Sequence, residues 1–545
     1  MPSQGGRITG NGQLSYFLFS ALGFQASFFL DIINSMPIAK VHTGTIVGLD
    51  ALPITVEVNI ESRGFPSFNI VGLASKEVDE SKIRIRSAIT NCGYDFPTKD
   101  KISVNLAPAG IPKNGSLYDL PIAIGILKAT GQIHANLDKK IFTGELSLDG
   151  EVKSVKGTAI ILGLFKHGFK SFYIPQENLH EMYLKEKEVH IKPCETLNQI
   201  IRHLEKICII KSAKIKITNT EEIYDILLDD IEEQTHAKRA LLIASCGGHN
   251  LALSGPPGTG KSMIAKAMQA ILPPLSKYEL EEVIKIRSIN GNLNVRNIFE
   301  RPFRSPHHTI SRVGLIGGGS KITPGEITLA HRGILFMDEL NEFPRSVIES
   351  LRQPLEDKEV SISRASGNVI FPTSFCLIVA NNPCPCGYLG SSVKECTCKI
   401  NDIRNYQRRV SGPIWDRIDI YVTMKEFDVK KIGINKCENK DYGIENKTAK
   451  EIVKKVREIQ RERYKDQKHK TNSEQSNKNI LNFAKMEQDA KNILDLSCEK
   501  LGISPRGYFK IIKVARTIAD IENSETINKN HILEAVSYRK SEYNY

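Results

Sequence analysis

The segment LALSGPPGTGKSMIAKAMQAIL, residues 251–272, constrains the chain more than any other. It fits the spacing GxxxxGK[ST] from Gly255 to Ser262, with a strand-like apolar run before it and a helix-like run after it. In such a loop the glycines let successive backbone N–H groups turn inward on a β-phosphate. Lys261 reaches the β/γ oxygens, Ser262 ligates Mg²⁺, and the helix N-terminus adds partial positive charge. Gly255, Pro256, Pro257, Gly258, Thr259, Gly260, Lys261 and Ser262 are therefore expected to hold ATP, within a block of α/β class.

Two further apolar runs end in residues suited to the same chemistry. RGILFMDELNEF ends its apolar stretch at Asp338 and Glu339, one placed to hold the Mg²⁺ shell and the other to polarise an attacking water. SFCLIVANNP ends in Asn381 and Asn382, and Asn382 suits a γ-phosphate sensor that positions the water. Arg417, in GPIWDRIDIYV, and Arg506, in LGISPRGYFK, read either as surface ion pairs or as charges offered to a neighbouring subunit's phosphates. The second reading expects an exposed side chain.

A length of 545 residues implies two to four domains. From Met36 to about Ile210, β-branched runs (TGTIVGL, ITVEVNI, KISVNLA, SFYIP) alternate with helical segments such as KEVDESKIRIRSAITNCG. Residues 211–424 form the second α/β block. Residues 425–545 read as a polar linker, with loops around an exposed helix, followed by a small helical lid. Lys+Arg 74 against Asp+Glu 62 gives a net charge of +12, a mild bias towards polyanions. The 11 cysteines without a credible secretory context read as reduced thiols in a cytoplasm. LSYFLFSALGFQASFFLDII is apolar, but it is interrupted by Ser, Gly and Gln and has little flanking positive charge. Residues 1–35 are therefore read as an extension or a mis-assigned start in preference to a membrane anchor.

Together the phosphate loop, ILFMDE, ANNP, DRID and SPRGYFKIIKVARTIAD resemble an AAA+ ATPase of the magnesium-chelatase-like branch. RPFRSPHHTISRVGLIGGGSKITPGEITLAHRGILFMDEL and the block from Met36 to Ile210 resemble the ComM or YifB-type family within it. The resemblance implies a Lon-protease-like (ribosomal S5 domain 2-like) N-terminal domain, an AAA+ P-loop NTPase core and a C-terminal helical lid. It implies that Gln234 faces the adenine, that Asp338 and Glu339 are the Walker B pair, and that Asn382 is sensor 1. Arg417 would be the finger acting in trans and Arg506 sensor 2. The segment EDKEVSISRASGNVIFPTSF would form a hairpin with its tip near Arg364, facing the pore of a homo-oligomeric, hexameric ring on single-stranded or branched DNA. A magnesium-chelatase-type ATPase that remodels a metal-inserting partner and an ATP-dependent Lon-like peptidase are the rivals.

The peptidase rival is weakened by two positions. In IPKNGSLYDLPIAIGIL the place of a Lon-type serine falls on Leu117, with Ser116 one residue early. In GELSLDGEVKSVKGTAI the dyad lysine falls on Ala159, with Lys156 one helical turn away. The domain then reads as a rigid partner or a DNA-handling module.

CPCGYLGSSVKECTC carries Cys384, Cys386, Cys396 and Cys398 as two CxC pairs. Four thiolates can close a tetrahedral Zn²⁺ site, although the spacing departs from the usual CxxC knuckle, and reduced structural thiols remain the alternative. His307 and His308 are read as loop residues near the nucleotide or DNA and not as metal ligands.

Overall fold

Alternation of β-branched and polar residues in Asp50–Glu61 buries Ile54, Val56, Val58 and Ile60 on one face of a strand, and Ile102, Val104 and Leu106 do the same in Lys101–Ala107. These strands belong to a seven-stranded sheet. From edge to edge it runs Ser67–Val71, Lys101–Ala107, Asp50–Glu61, Ala39–Val47, Lys140–Phe142, Ser171–Pro175 and His190–Cys194. The pairs around Asp50–Glu61 are antiparallel and the remaining neighbours parallel, so the sheet is mixed. Helix Asp119–Ala129, apolar almost all round, lies against it. The approach is so close that a Cβ on Gly125 would meet Val58 Cγ2 at 2.6 Å. Helix Lys76–Asn91 packs alongside through Val78, Ile85, Ala88 and Ile89.

The computed structural model describes residues 38–183, 188–213, 224–294, 297–319, 322–364, 367–426, 444–467 and 470–539. The expected extension, 1–35, lies outside these residues, as does the tip of the expected hairpin at 365–366. The chain divides into two compact units, Met1–Lys216 and Ile217–Tyr545.

In the second unit, a five-stranded, all-parallel sheet is built on short apolar central strands buried on both faces. Its order is Phe303–Arg304, Ile334–Met337, Cys376–Asn381, Leu251–Ser254 and Ile420–Thr423. Three adjacent central strands thus end on one edge in the phosphate loop, in Asp338 and Glu339, and in Asn382, the edge where open α/β sheets bind ligands. The hairpin pairs Glu359–Arg364 with Gly367–Pro372 and precedes the strand Cys376–Asn381.

One sequence-based expectation needs correction here. Helix Asn446–Arg463 is not an exposed helix among loops: Ala449, Val453 and Val456 are buried in the same apolar cluster as helices Thr235–Gly247 and Lys261–Ile271. Few apolar residues suffice because they recur at four- and three-residue spacing on one face. Helices Gln488–Leu501, Pro505–Ile521 and Lys529–Ser537 join that cluster too, so the helical C-terminus shares its core with the sheet.

Candidate active site

The phosphate loop opens the helix Lys261–Ile271. Gly258 and Gly260 hold φ of +80° and +84°, and a Cβ on either would meet nothing within 4 Å, so the loop presents an open face. Lys261 is buried, and its Nζ donates to the carbonyls of Gly255 at 2.7 Å and Pro256 at 2.8 Å and to Asn382 Oδ1 at 3.2 Å. Burial pushes this ammonium's pKa down, against the pull of Asp338 and Glu339. A desolvated ammonium beside an open glycine loop is what a phosphate would complement. Thr259 closes the turn by donating to the Pro256 carbonyl at 3.0 Å.

Ser262 Oγ donates to Asp338 Oδ2 at 2.8 Å. A hydroxyl and a carboxylate in contact at the foot of a phosphate loop fit a shared Mg²⁺ shell. Glu339 takes a left-handed conformation, φ 50° and ψ 49°, its N–H capping Asp338 Oδ1 at 3.0 Å. Non-glycine residues adopt this region at a cost of about 1–3 kcal/mol and concentrate at functional sites. Its carboxylate lies 3.8 Å from His308 Nδ1, and the His307 and His308 rings are 4.1 Å apart. This histidine pair therefore lies beside the candidate base. Gln234, also left-handed at φ 51°, donates through Nε2 to the Lys425 carbonyl at 2.7 Å, just past the last sheet strand.

The structure thus brings Lys261, Ser262, Asp338 and Asn382 together, with Glu339 adjoining. It holds Arg417 and Arg506 elsewhere, both on Glu356. Arg506 Nη2 meets Glu356 Oε1 at 2.7 Å, and Arg417 pairs with Glu356 Oε2 while donating to the Pro413 carbonyl at 2.7 Å. The expectation of an exposed Arg417 is corrected: its side chain is only 13% exposed, because three acceptors hold it down. The sequence reading missed Glu356, whose place one turn into Arg352–Asp357 carries no motif. It also missed Asp419 of DRID, a buried carboxylate bound to Lys510 at 2.6 Å and held well below its usual pKa: burial alone would raise it, but Lys510 and His249 prevail. Arg364 belongs to a described strand, but its side chain falls outside the described residues.

In the first unit, Leu117 and Ala159 are both buried, Leu117 in the apolar core and Ala159 in the short helix Thr158–Ile161. Lys156 precedes that helix and is exposed, so it is not on the helix turn the sequence reading gave it. The four cysteines Cys384, Cys386, Cys396 and Cys398 converge, their sulfurs all within 4.8 Å of one another, an arrangement that could bind a metal. None of the described helices is long and apolar enough to cross a membrane.

Three family models match the chain: "Magnesium chelatase, subunit ChlI" over residues 227–432, "Subunit ChlI of Mg-chelatase" over 56–178, and "Magnesium chelatase, subunit ChlI C-terminal" over 443–539. The chain is 38% identical over 516 residues to a protein named competence protein ComM from Haemophilus influenzae, covering 92% of this chain and 98% of that one. It is 38% identical over 517 residues to the uncharacterized protein YifB of Salmonella typhimurium, covering 92% and 97%. Lon protease 2 of Bacillus subtilis matches at 25% over 172 residues, 30% of this chain and 31% of that one. Matches of this identity over nearly the whole length, on a sheet whose adjoining strands lead into the phosphate loop of Lys261, Asp338 and Asn382, make the chain a member of the ComM/YifB-type family of magnesium-chelatase-like AAA+ proteins, a family that implies ATPase activity.

Proposed function

We propose that the chain is a subunit of a homo-oligomeric, hexameric ring that hydrolyses ATP to move along single-stranded or branched DNA, with helicase or branch-migration work in DNA uptake and recombination. The observation that carries the hydrolytic half is the contact of Ser262 with Asp338 beside a buried Lys261 that reaches Asn382. In this reading residues 255–262 bind ATP, Gln234 faces its adenine, and Ser262 and Asp338 hold Mg²⁺, which supplies charge neutralisation at the phosphate oxygens. Glu339 accepts a proton from the attacking water, Asn382 orients that water, Arg417 leaves Glu356 to act as the finger at a neighbouring subunit's site, and Arg506 serves as sensor 2.

The DNA half draws support from the relative named for competence and from the hairpin between Asp338 and Asn382, placed in the chain to follow the nucleotide state. The magnesium-chelatase descriptions of the family models favour the second reading, a motor that remodels a metal-inserting partner. The peptidase reading is disfavoured by the buried Leu117 and Ala159. The decisive experiment compares ATPase rates with forked, four-way and single-stranded DNA. Stimulation supports the DNA motor; no stimulation and no binding at low salt transfer the reading to protein remodelling.

A further inference from the structure

Between the strand Cys376–Asn381 and the helix Ile400–Gln407 the chain runs without a helix or strand, an uncommon length of loop for a compact domain. What closes this loop is sulfur. Cys384 Sγ lies 3.4 Å from Cys386 Sγ and 3.6 Å from Cys396 Sγ, and Cys386 Sγ lies 3.6 Å from Cys396 Sγ. A disulfide needs about 2.05 Å. A tetrahedral ZnS₄ centre with bonds of about 2.3 Å has edges of about 3.8 Å, close to the separations seen. Clusters of several irons would hold the cysteine sulfurs farther apart. Burial does not explain the convergence, since only Cys384 is fully buried and the other three are partly exposed. The Cys386 N–H also points at Cys398 Sγ, at 3.4 Å, as backbone donors do at thiolate ligands.

The loop is tied to the nucleotide site. Cys384 is two residues beyond Asn382, and a Cβ on Gly387 would lie 2.7 Å from Pro257 Cδ of the phosphate loop. Between the two cysteine pairs Ser392 N–H and Val393 N–H donate to Glu426 at 2.9 and 3.2 Å, next to the Lys425 carbonyl that holds Gln234.

We propose that Cys384, Cys386, Cys396 and Cys398 bind one zinc ion as thiolates, and that this knuckle braces Asn382 and Pro257 so that metal loading sets nucleotide affinity. Binding displaces the thiol protons to solvent. The second clause rests on the ATP-site reading; the first does not.

Purified full-length chain, prepared without chelator, should contain one zinc per chain by elemental analysis. Reconstitution with Co²⁺ should give sulfur-to-cobalt charge-transfer and tetrahedral d–d bands, and Mg²⁺ with an ATP analogue should shift them. The double variant Cys396→Ser/Cys398→Ser should lose the metal and bind a fluorescent ATP analogue about tenfold more weakly, within the usual range of coupling between two linked sites. Lys261→Ala should keep the metal while losing the nucleotide, which separates failure of the ATP reading from failure of the metal site. Substoichiometric zinc that added zinc cannot restore, iron in its place, or a featureless cobalt spectrum would overturn the site. Unchanged nucleotide affinity in the metal-free variant would overturn the brace, and if that variant does not fold, cobalt bands indifferent to nucleotide in the wild type do so.

Discussion

In the proposed ATP site Lys261 would meet phosphate and Glu339 the attacking water, so substitutions at the two should fail differently. Lys261→Ala should abolish binding of an ATP analogue. Glu339→Gln should bind it and lose about 10²–10⁴ in phosphate release, the range for a general base. Wild-type turnover in Glu339→Gln would remove that residue from the water-activating role. Residue identity also weighs against proteolysis in the first unit. A peptidase cannot use the buried Leu117 or Ala159, and Ser116 is one residue off, so Ser116→Ala should leave an absent peptidase activity unchanged. ATP-dependent cleavage of an unfolded substrate that disappeared in that variant would contradict this.

At the scale of elements, helix Lys277–Asn290 is fastened by two carboxylates. Burial pushes Glu279 and Glu282 up, but Arg301 and the Ser276 N–H outweigh it for Glu279, and His331 and Arg332 for Glu282, leaving both at about 2. These values lie below the unfolded glutamate pKa of about 4.3, so the stabilisation is complete above that pH and fades as pH falls towards 2. Each contributes on the order of 2 kcal/mol at neutral pH. Glu282→Gln should therefore lower the neutral-pH Tm and flatten its decline between about pH 4.3 and 2; a parallel decline would assign the stability elsewhere. The arginines on Glu356 call for a test between subunits. Arg417→Ala should bind ATP and lose about 10³–10⁵ in turnover. Mixing it with Lys261→Ala should restore activity through composite interfaces, and no rescue at any ratio would count against action in trans.

For the whole molecule, the net charge of +12 is a mild bias towards polyanions and binds no partner by itself. A ring that threads DNA touches mostly phosphates, so affinity should fall steeply and linearly in log–log salt plots, with little sequence preference. Forked DNA should raise the ATPase rate, and Arg364→Ala should spare basal turnover while abolishing strand displacement. Unwinding at the wild-type rate in that variant would take the hairpin out of the DNA path.

The phosphate loop, ILFMDE and ANNP could be read without coordinates because each is a contiguous run whose period and terminal residues follow from local chemistry: an apolar strand, then a polar residue at its end. SFYIP and KISVNLA, likewise, are strands at the residues the alternation gave them. Helix Asn446–Arg463 was misread because sparse apolar residues look like solvent-facing sequence until a partner face is supplied. Glu356 was invisible for a related reason, since nothing near it in the chain marks a carboxylate that meets arginines 61 and 150 residues away. Sequence by itself determined which residues could carry phosphate chemistry and which strands would hold them. Strand order decided that Ser262, Asp338 and Asn382 meet at one edge of the sheet, and long-range packing decided that Arg417 is only partly exposed and that the cysteine loop rests on Pro257, because contacts between distant segments depend on the closed core rather than on any local preference.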